Sequence, residues 1–236
     1  MWGLLGWVGL LVIAVAFQVV PMFMLTEPYP PFLTGSYTMW LFLLLVAASL
    51  SSGLRGPGLL FHQTCLVLLA AGYGLFAGVT LYLLARRKRP QADSTTLYWR
   101  VAMASLVAAL ALWLWSHAEV SNAIPLGLGV LLIAGFALSA INGMLYKIVP
   151  FLAWYHLQEE MAASGRKLPA VNKIIPARRA YWQFGAHVAA LLLLLGACYQ
   201  PALARPAAAL MGVACIGLWV NLCMAARLRQ RMQSAA

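Results

Sequence analysis

Runs of roughly twenty apolar residues recur along this 236-residue chain, broken by short polar or basic stretches. A hydrocarbon core of about 30 Å takes roughly 20 helical residues to cross, and inside it the protein must satisfy every backbone amide and carbonyl itself. Two architectures meet that demand, a helical bundle and a closed β-barrel. Barrel strands alternate between a lipid-facing and a lumen-facing side, whereas these runs are apolar throughout. The fold is therefore expected to be all-α, a polytopic transmembrane helical bundle. Hydrophobic residues make up 64% of the chain and charged ones 9%, which sets it apart from soluble globular domains. Seven spans are expected, near 1–24, 36–54, 58–85, 98–116, 121–150, 179–199 and 204–226, within one transmembrane domain covering 1–236.

The formal net charge is +11, and its placement excludes nucleic acid as the natural partner. Arg86, Arg87, Lys88 and Arg89 follow the third span, and Arg100 opens the fourth. Lys147 closes the fifth, and Arg166, Lys167, Lys173, Arg178 and Arg179 fill the next connection. Arg227, Arg229 and Arg231 form the tail. Fourteen of the sixteen basic residues thus share one side of a seven-span arrangement, with Arg55 and Arg205 opposite. Basic residues accumulate on the cytoplasmic side of membrane proteins, so the expected location is a bacterial-type inner membrane, with the N-terminus outside and the C-terminus in the cytoplasm. Trp40, Trp99, Trp154 and Trp182 fall at the expected inner boundaries and Trp2, Trp113 and Trp115 at the outer ones, as interfacial aromatic belts require. The bilayer is the expected partner, and its anionic head groups suit the basic face.

One piece occurs twice. GWVGLLVIAVAFQVVPMF (6–23) aligns without gaps with GFALSAINGMLYKIVPFL (135–152) at an offset of 129, pairing Gly6 with Gly135, Phe17 with Tyr146, Gln18 with Lys147 and Pro21 with Pro150. The two helices are the first and fifth spans and run in the same direction, so the repeating unit is four helices and the expected organisation is a parallel pseudo-repeat of about 1–120 and 121–236. Parallel repeats differ from the inverted ones of many secondary transporters. Proline lacks an amide donor and disfavours helix at the residue before it, so both copies are expected to kink or stop at Val-Pro. The first copy begins almost at Met1, which predicts a reading frame extending upstream with a His just before Met1.

Helices with a glycine, an apolar stretch, an aromatic residue and then Val-Pro resemble the cofactor-facing helices of the haem–copper oxidase subunit I superfamily. Residues 6–23 and 135–152, followed by LTEPYP and AWYHLQ, carry the likeness. The resemblance implies a respiratory-type membrane complex, haem as cofactor with copper as a lesser candidate, and another membrane subunit or a second copy as partner. The departures are specific. The family's haem-ligating His upstream of the proline would fall near Gly127, where there is none. A His-His pair and a His-x-x-x-Tyr pattern are also absent from the sequence. The resemblance therefore implies a haem-associated or accessory module, with no catalysis by this chain alone. The alternative is a cofactor-free transporter or a structural or assembly subunit.

Ionisable residues inside membrane spans are costly and mark candidate sites. His187, in the sixth span, and His62, in the third, are the candidate haem ligands, although they differ in expected depth by roughly 12 Å. His62 with Cys65 one turn on, joined by His117 from an outer loop, is the candidate metal set; a hydrogen-bonded interfacial histidine is the plainer reading of His62. His117 and Glu119 also read as solvated loop residues, and His156 as part of an amphipathic surface segment. Ser139, Asn142 and Tyr146 share one face of the fifth span at helical spacing, a polar stripe that either joins helices by hydrogen bonds or lines a polar path. Gly3, Gly6 and Gly9, and the pair Gly74 and Gly78, are expected at close helix contacts. A Cys65–Cys198 disulfide is compatible with the expected topology. No P-loop, HExxH or paired membrane carboxylates appear.

Overall fold

The computed structural model describes residues 2–88, 93–116, 123–162 and 174–233. Among these there is no strand, and the architecture is all-α. Helix α1 is Trp2–Met24, π-helical over Trp2–Gly9 and α-helical over Leu10–Met24. There follow α2 (Pro31–Thr34), α3 (Tyr37–Leu50), α4 (Pro57–Ala85) and α5 (Ser94–Trp115). Helix α6 runs over 123–162 and is π-helical at Leu131–Leu138. Helix α7 is Ala177–Ala197, and a 3-10 turn at Pro201–Leu203 leads into α8, Ala204–Gln233.

Six of these helices are long and apolar enough to cross a membrane: Trp2–Met24, Pro57–Ala85, Ser94–Trp115, Ala123–His156, Ala177–Ala197 and Pro201–Arg227. The second expected span is shorter than anticipated. Tyr37–Leu50 has 14 residues and rises only about 21 Å. The helix stops at Leu50 and turns at 51–53, short of the expected end at 54, while Gly35 and Ser36 separate its start from the single turn Pro31–Thr34. Proline at the first position of α2 needs no donor, which is why the turn starts there.

The Val-Pro motifs do not end their helices. Helix α1 continues past Pro21 to Met24, where Leu25 adopts a left-handed conformation (φ 53°), and α6 continues past Pro150 to Ala162. A proline within a helix removes one donor and crowds one carbonyl, a local cost that packed membrane helices absorb.

The chain divides into two compact units, one of 1–91 with 100–137 and the other of 92–99 with 138–236. In the first, α1 and α4 run parallel: the Tyr73 hydroxyl donates to the Leu5 carbonyl, Phe17 meets Phe76 edge-on at 6.2 Å, and the Lys88 amide donates to the Leu25 carbonyl at 3.2 Å. Helix α3 lies antiparallel to both, with Tyr37 bonded to the Gly72 carbonyl and Leu45 against Gly6. A Cβ on Gly6 would come within 2.8 Å of Leu45, and one on Gly9 within 2.6 Å of the Tyr73 hydroxyl. Close packing therefore explains those two glycines, while Gly3 and Gly78 face open space. In the second unit α7 and α8 form an antiparallel hairpin, packed with α6 around Tyr98, Tyr146, Ala180, Leu218 and Ala225.

Candidate functional site

The strongest concentration of polar side chains within helices lies in the second unit. Its central residue is Gln183, six positions into α7. The Tyr98 and Tyr146 hydroxyls donate to Gln183 Oε1 at 2.5 and 3.1 Å, and Gln183 Nε2 donates to the Ala214 carbonyl at 3.1 Å. Asn221 Nδ2 donates to the Tyr146 hydroxyl at 2.9 Å. One turn along α7, His187 Nε2 lies 2.8 Å from Ser139 Oγ. The Tyr98 ring lies 5.3 Å from the imidazole and 4.9 Å from Phe184. Asn142 reaches the Tyr98 hydroxyl with its side chain, while its Oδ1 and the Trp99 indole N–H have no protein partner among the described residues. Ser139, Asn142, Gln183, His187 and Asn221 are all buried.

Backbone geometry makes this meeting possible. A Cβ on Gly143 would stand 2.9 Å from Tyr98 Cβ and 3.3 Å from the Thr95 carbonyl. Glycine there lets the start of α5 close on α6, which brings Tyr98 to Tyr146, Asn142 and Gln183.

The same helix start carries an ion pair. Asp93 Oδ1 accepts from the Thr96 amide at 3.0 Å and from its hydroxyl at 2.7 Å, an N-cap, while Oδ2 stands 2.5 Å from Lys147 Nζ. Burial pushes the Asp93 carboxyl up, and Lys147 and Thr96 together outweigh it, leaving the pKa below its ordinary value. Lys147, which closes the fifth expected span, is the partner of Asp93.

The sequence-derived candidates are dispersed. His62 Nδ1 lies 2.9 Å from the Ala48 carbonyl and 3.2 Å from Ser51 Oγ, so it joins the ends of α3 and α4. Cys65 is buried one turn along α4, with a free thiol, and Cys198 is free as well. His117 and Glu119 lie outside the described residues. His62 belongs to the first unit and His187 to the second. Among the described residues no three His, Cys, Asp or Glu side chains gather where they could hold a metal ion. His156 is exposed, its Nδ1 2.8 Å from the Leu152 carbonyl.

The His187 side chain is enclosed by protein. The imidazole is 0% exposed, its Nε2 is taken by Ser139, and Tyr98 lies beside the ring. Of the polar stripe foreseen on α6, Ser139, Asn142 and Tyr146 all join the cluster. Gln183, Asn221 and Tyr98 were not anticipated. Their signal in the sequence was a lone amide in each of two apolar spans, with Gln183 four residues, one helical turn, before His187. Comparison with protein-family models, with curated proteins and with solved structures gives no match to the chain.

Proposed function

We propose that this chain is a membrane-embedded accessory or assembly subunit, resembling part of haem–copper oxidase subunit I, in which buried polar side chains join helices and hold no cofactor. The observation that carries this reading is His187: among the described residues it is the one histidine buried in a span, and it is bonded to Ser139 inside a cluster whose partners are side chains of neighbouring helices. Hydrogen bonds of this kind are a recognised means of holding transmembrane helices together.

A duplicated helical unit and seven spans belong to the same proposal. The π-helical segments Trp2–Gly9 and Leu131–Leu138 differ by 129 at both ends, the offset that pairs Pro21 with Pro150. Such wide turns are rare, so their coincidence adds to the sequence likeness independently. Position 17, paired with 146, also makes matching contacts. Phe17 meets Tyr37 on the next helix and Phe76 on the one after; Tyr146 meets Gln183 and Asn221 on theirs. The second helix of each unit begins directly after a proline, Pro30 or Pro176. Pro31–Leu50, broken at Gly35 and Ser36, then serves as the counterpart of Ala177–Ala197 and as the seventh span.

The test is a dithionite-reduced minus oxidised absorption spectrum of the detergent-purified protein, with iron and copper quantified on the same sample. A flat spectrum without stoichiometric metal is expected. A reduced α-band with near-stoichiometric iron, lost in His187→Ala, would replace this proposal with the haem-binding one.

A further inference from the structure

We propose that the end of the second unit where α7 starts and α8 finishes binds the head group of an anionic phospholipid. Arg178 and Arg179, in the first turn of α7, and Arg227, near the finish of α8, lie at that end. Arg179 Nη1 lies 2.6 Å from Met224 Sδ, which brings the first turn of α7 beside the stretch of α8 that carries Arg227 one turn on. All three guanidinium groups belong to exposed residues, and none pairs with a carboxylate among the described residues.

The chemistry below this cationic end is graded as a phospholipid is. Trp182, one turn from Arg178 on the same face of α7, is 71% exposed, and Tyr181 beside it is exposed too. Aromatic rings of this kind settle at the level of the ester and head-group region. Further down the same face come Gly185, Ala189 and Leu192, all exposed, and a Cβ on Gly185 would meet nothing within 4 Å. An arginine fork matches a phosphate in shape as well as in charge. Charge at the top, aromatic rings at the interface and an apolar face beneath suit a membrane lipid better than a free anion, which would use only the arginines. The inference needs only that the chain spans a bilayer; resistance to alkaline carbonate extraction checks that point separately.

The experiment places the full chain in nanodiscs of phosphatidylcholine, alone or mixed with phosphatidylglycerol, and follows thermal unfolding. Phosphatidylglycerol should raise the unfolding midpoint of the native chain. Arg178→Gln combined with Arg227→Gln should remove most of that rise, and Arg55→Gln combined with Arg205→Gln should keep it. Both pairs replace exposed side chains, so folding is preserved. Gly185→Leu, which has room for its side chain, should weaken the retention of phosphatidylglycerol seen by native mass spectrometry. An equal rise in the Arg178/Arg227 variant, or an equal rise when inorganic phosphate is added to phosphatidylcholine discs, would overturn the proposal.

Discussion

Gln183 joins three helices through one amide. It accepts from Tyr98 at the start of α5 and Tyr146 on α6, and donates to the Ala214 carbonyl on α8. Leucine at this position would fill similar space, leave the Tyr98 and Tyr146 hydroxyls without the oxygen they donate to, and take one donor from the Ala214 carbonyl. Leaving buried polar groups unpaired costs about 1–3 kcal/mol, so Gln183→Leu should lower the unfolding free energy in detergent by that order. Tyr98→Phe removes one hydroxyl and leaves Gln183 its other partners, so its cost should be smaller; an equal loss for both would show that the network is not centred on Gln183. Gly143 is the second sensitive position. A methyl group there is forced against Tyr98 Cβ and the Thr95 carbonyl, atoms that cannot move without shifting α5, and overpacking of this kind costs about 1–3 kcal/mol. Gly143→Ala should therefore destabilise, whereas Gly129→Ala, with open space around it, should not. Thermal unfolding of the two variants side by side checks the contrast.

At the scale of the element, Asp93 both caps α5 and ties it to α6 through Lys147. Its carboxyl is held below the ordinary range, so the unfolded chain binds this proton more readily than the folded one. The stabilisation is present above the unfolded value, about 3.9, and is lost as pH falls through the lower folded value. The unfolding midpoint should therefore fall as the medium is acidified below about pH 4, and Asp93→Asn should flatten that limb; an unchanged acid limb in the variant would remove Asp93 from the account. Helix existence was legible in the sequence because a span is defined by length and hydropathy alone. The polar stripe of Ser139, Asn142 and Tyr146 was legible through its helical period. The partners of that stripe were not, because Gln183 and Asn221 carry no periodic signal and become a cluster only when α7 and α8 fold back on α6. That the helices run on past Val-Pro was not legible for a related reason: the local cost of the proline is readable, but the packing that lets the helix continue is not.

For the whole molecule, the open question is how many times the chain crosses the bilayer. Contacts within the first unit already give directions: α1 and α4 are parallel and α3 is antiparallel between them, with Tyr37 near Phe17 and His62 near Ala48. Parallel neighbours whose C-terminal ends share a level, as the Lys88 to Leu25 hydrogen bond requires, need a return path between them. Helix α3 alone, at about 21 Å, falls short of a 30 Å core. Pro31–Leu50 together covers the distance if its broken turn is sheltered by protein, and irregular backbone at membrane depth is tolerated only under such shelter or beside a water-filled cavity. Tyr29 and Leu33 are buried, and the Tyr29 hydroxyl is 2.9 Å from Thr80 Oγ1 on α4, so this stretch does lean on the protein. Seven crossings place the two ends of the chain on opposite sides, and six place them on the same side. In a background with Cys65, Cys198, Cys215 and Cys223 replaced, Ser52→Cys should react with a membrane-impermeant maleimide added to intact cells, and a cysteine at Arg87 should react only after permeabilisation. A fluorescent protein fused to the C-terminus should fluoresce, as it does when it folds in the cytoplasm. If Ser52→Cys and Arg87→Cys are labelled from the same side, the stretch from Pro31 to Leu50 does not cross, and the seven-span arrangement falls together with the charge asymmetry inferred from it.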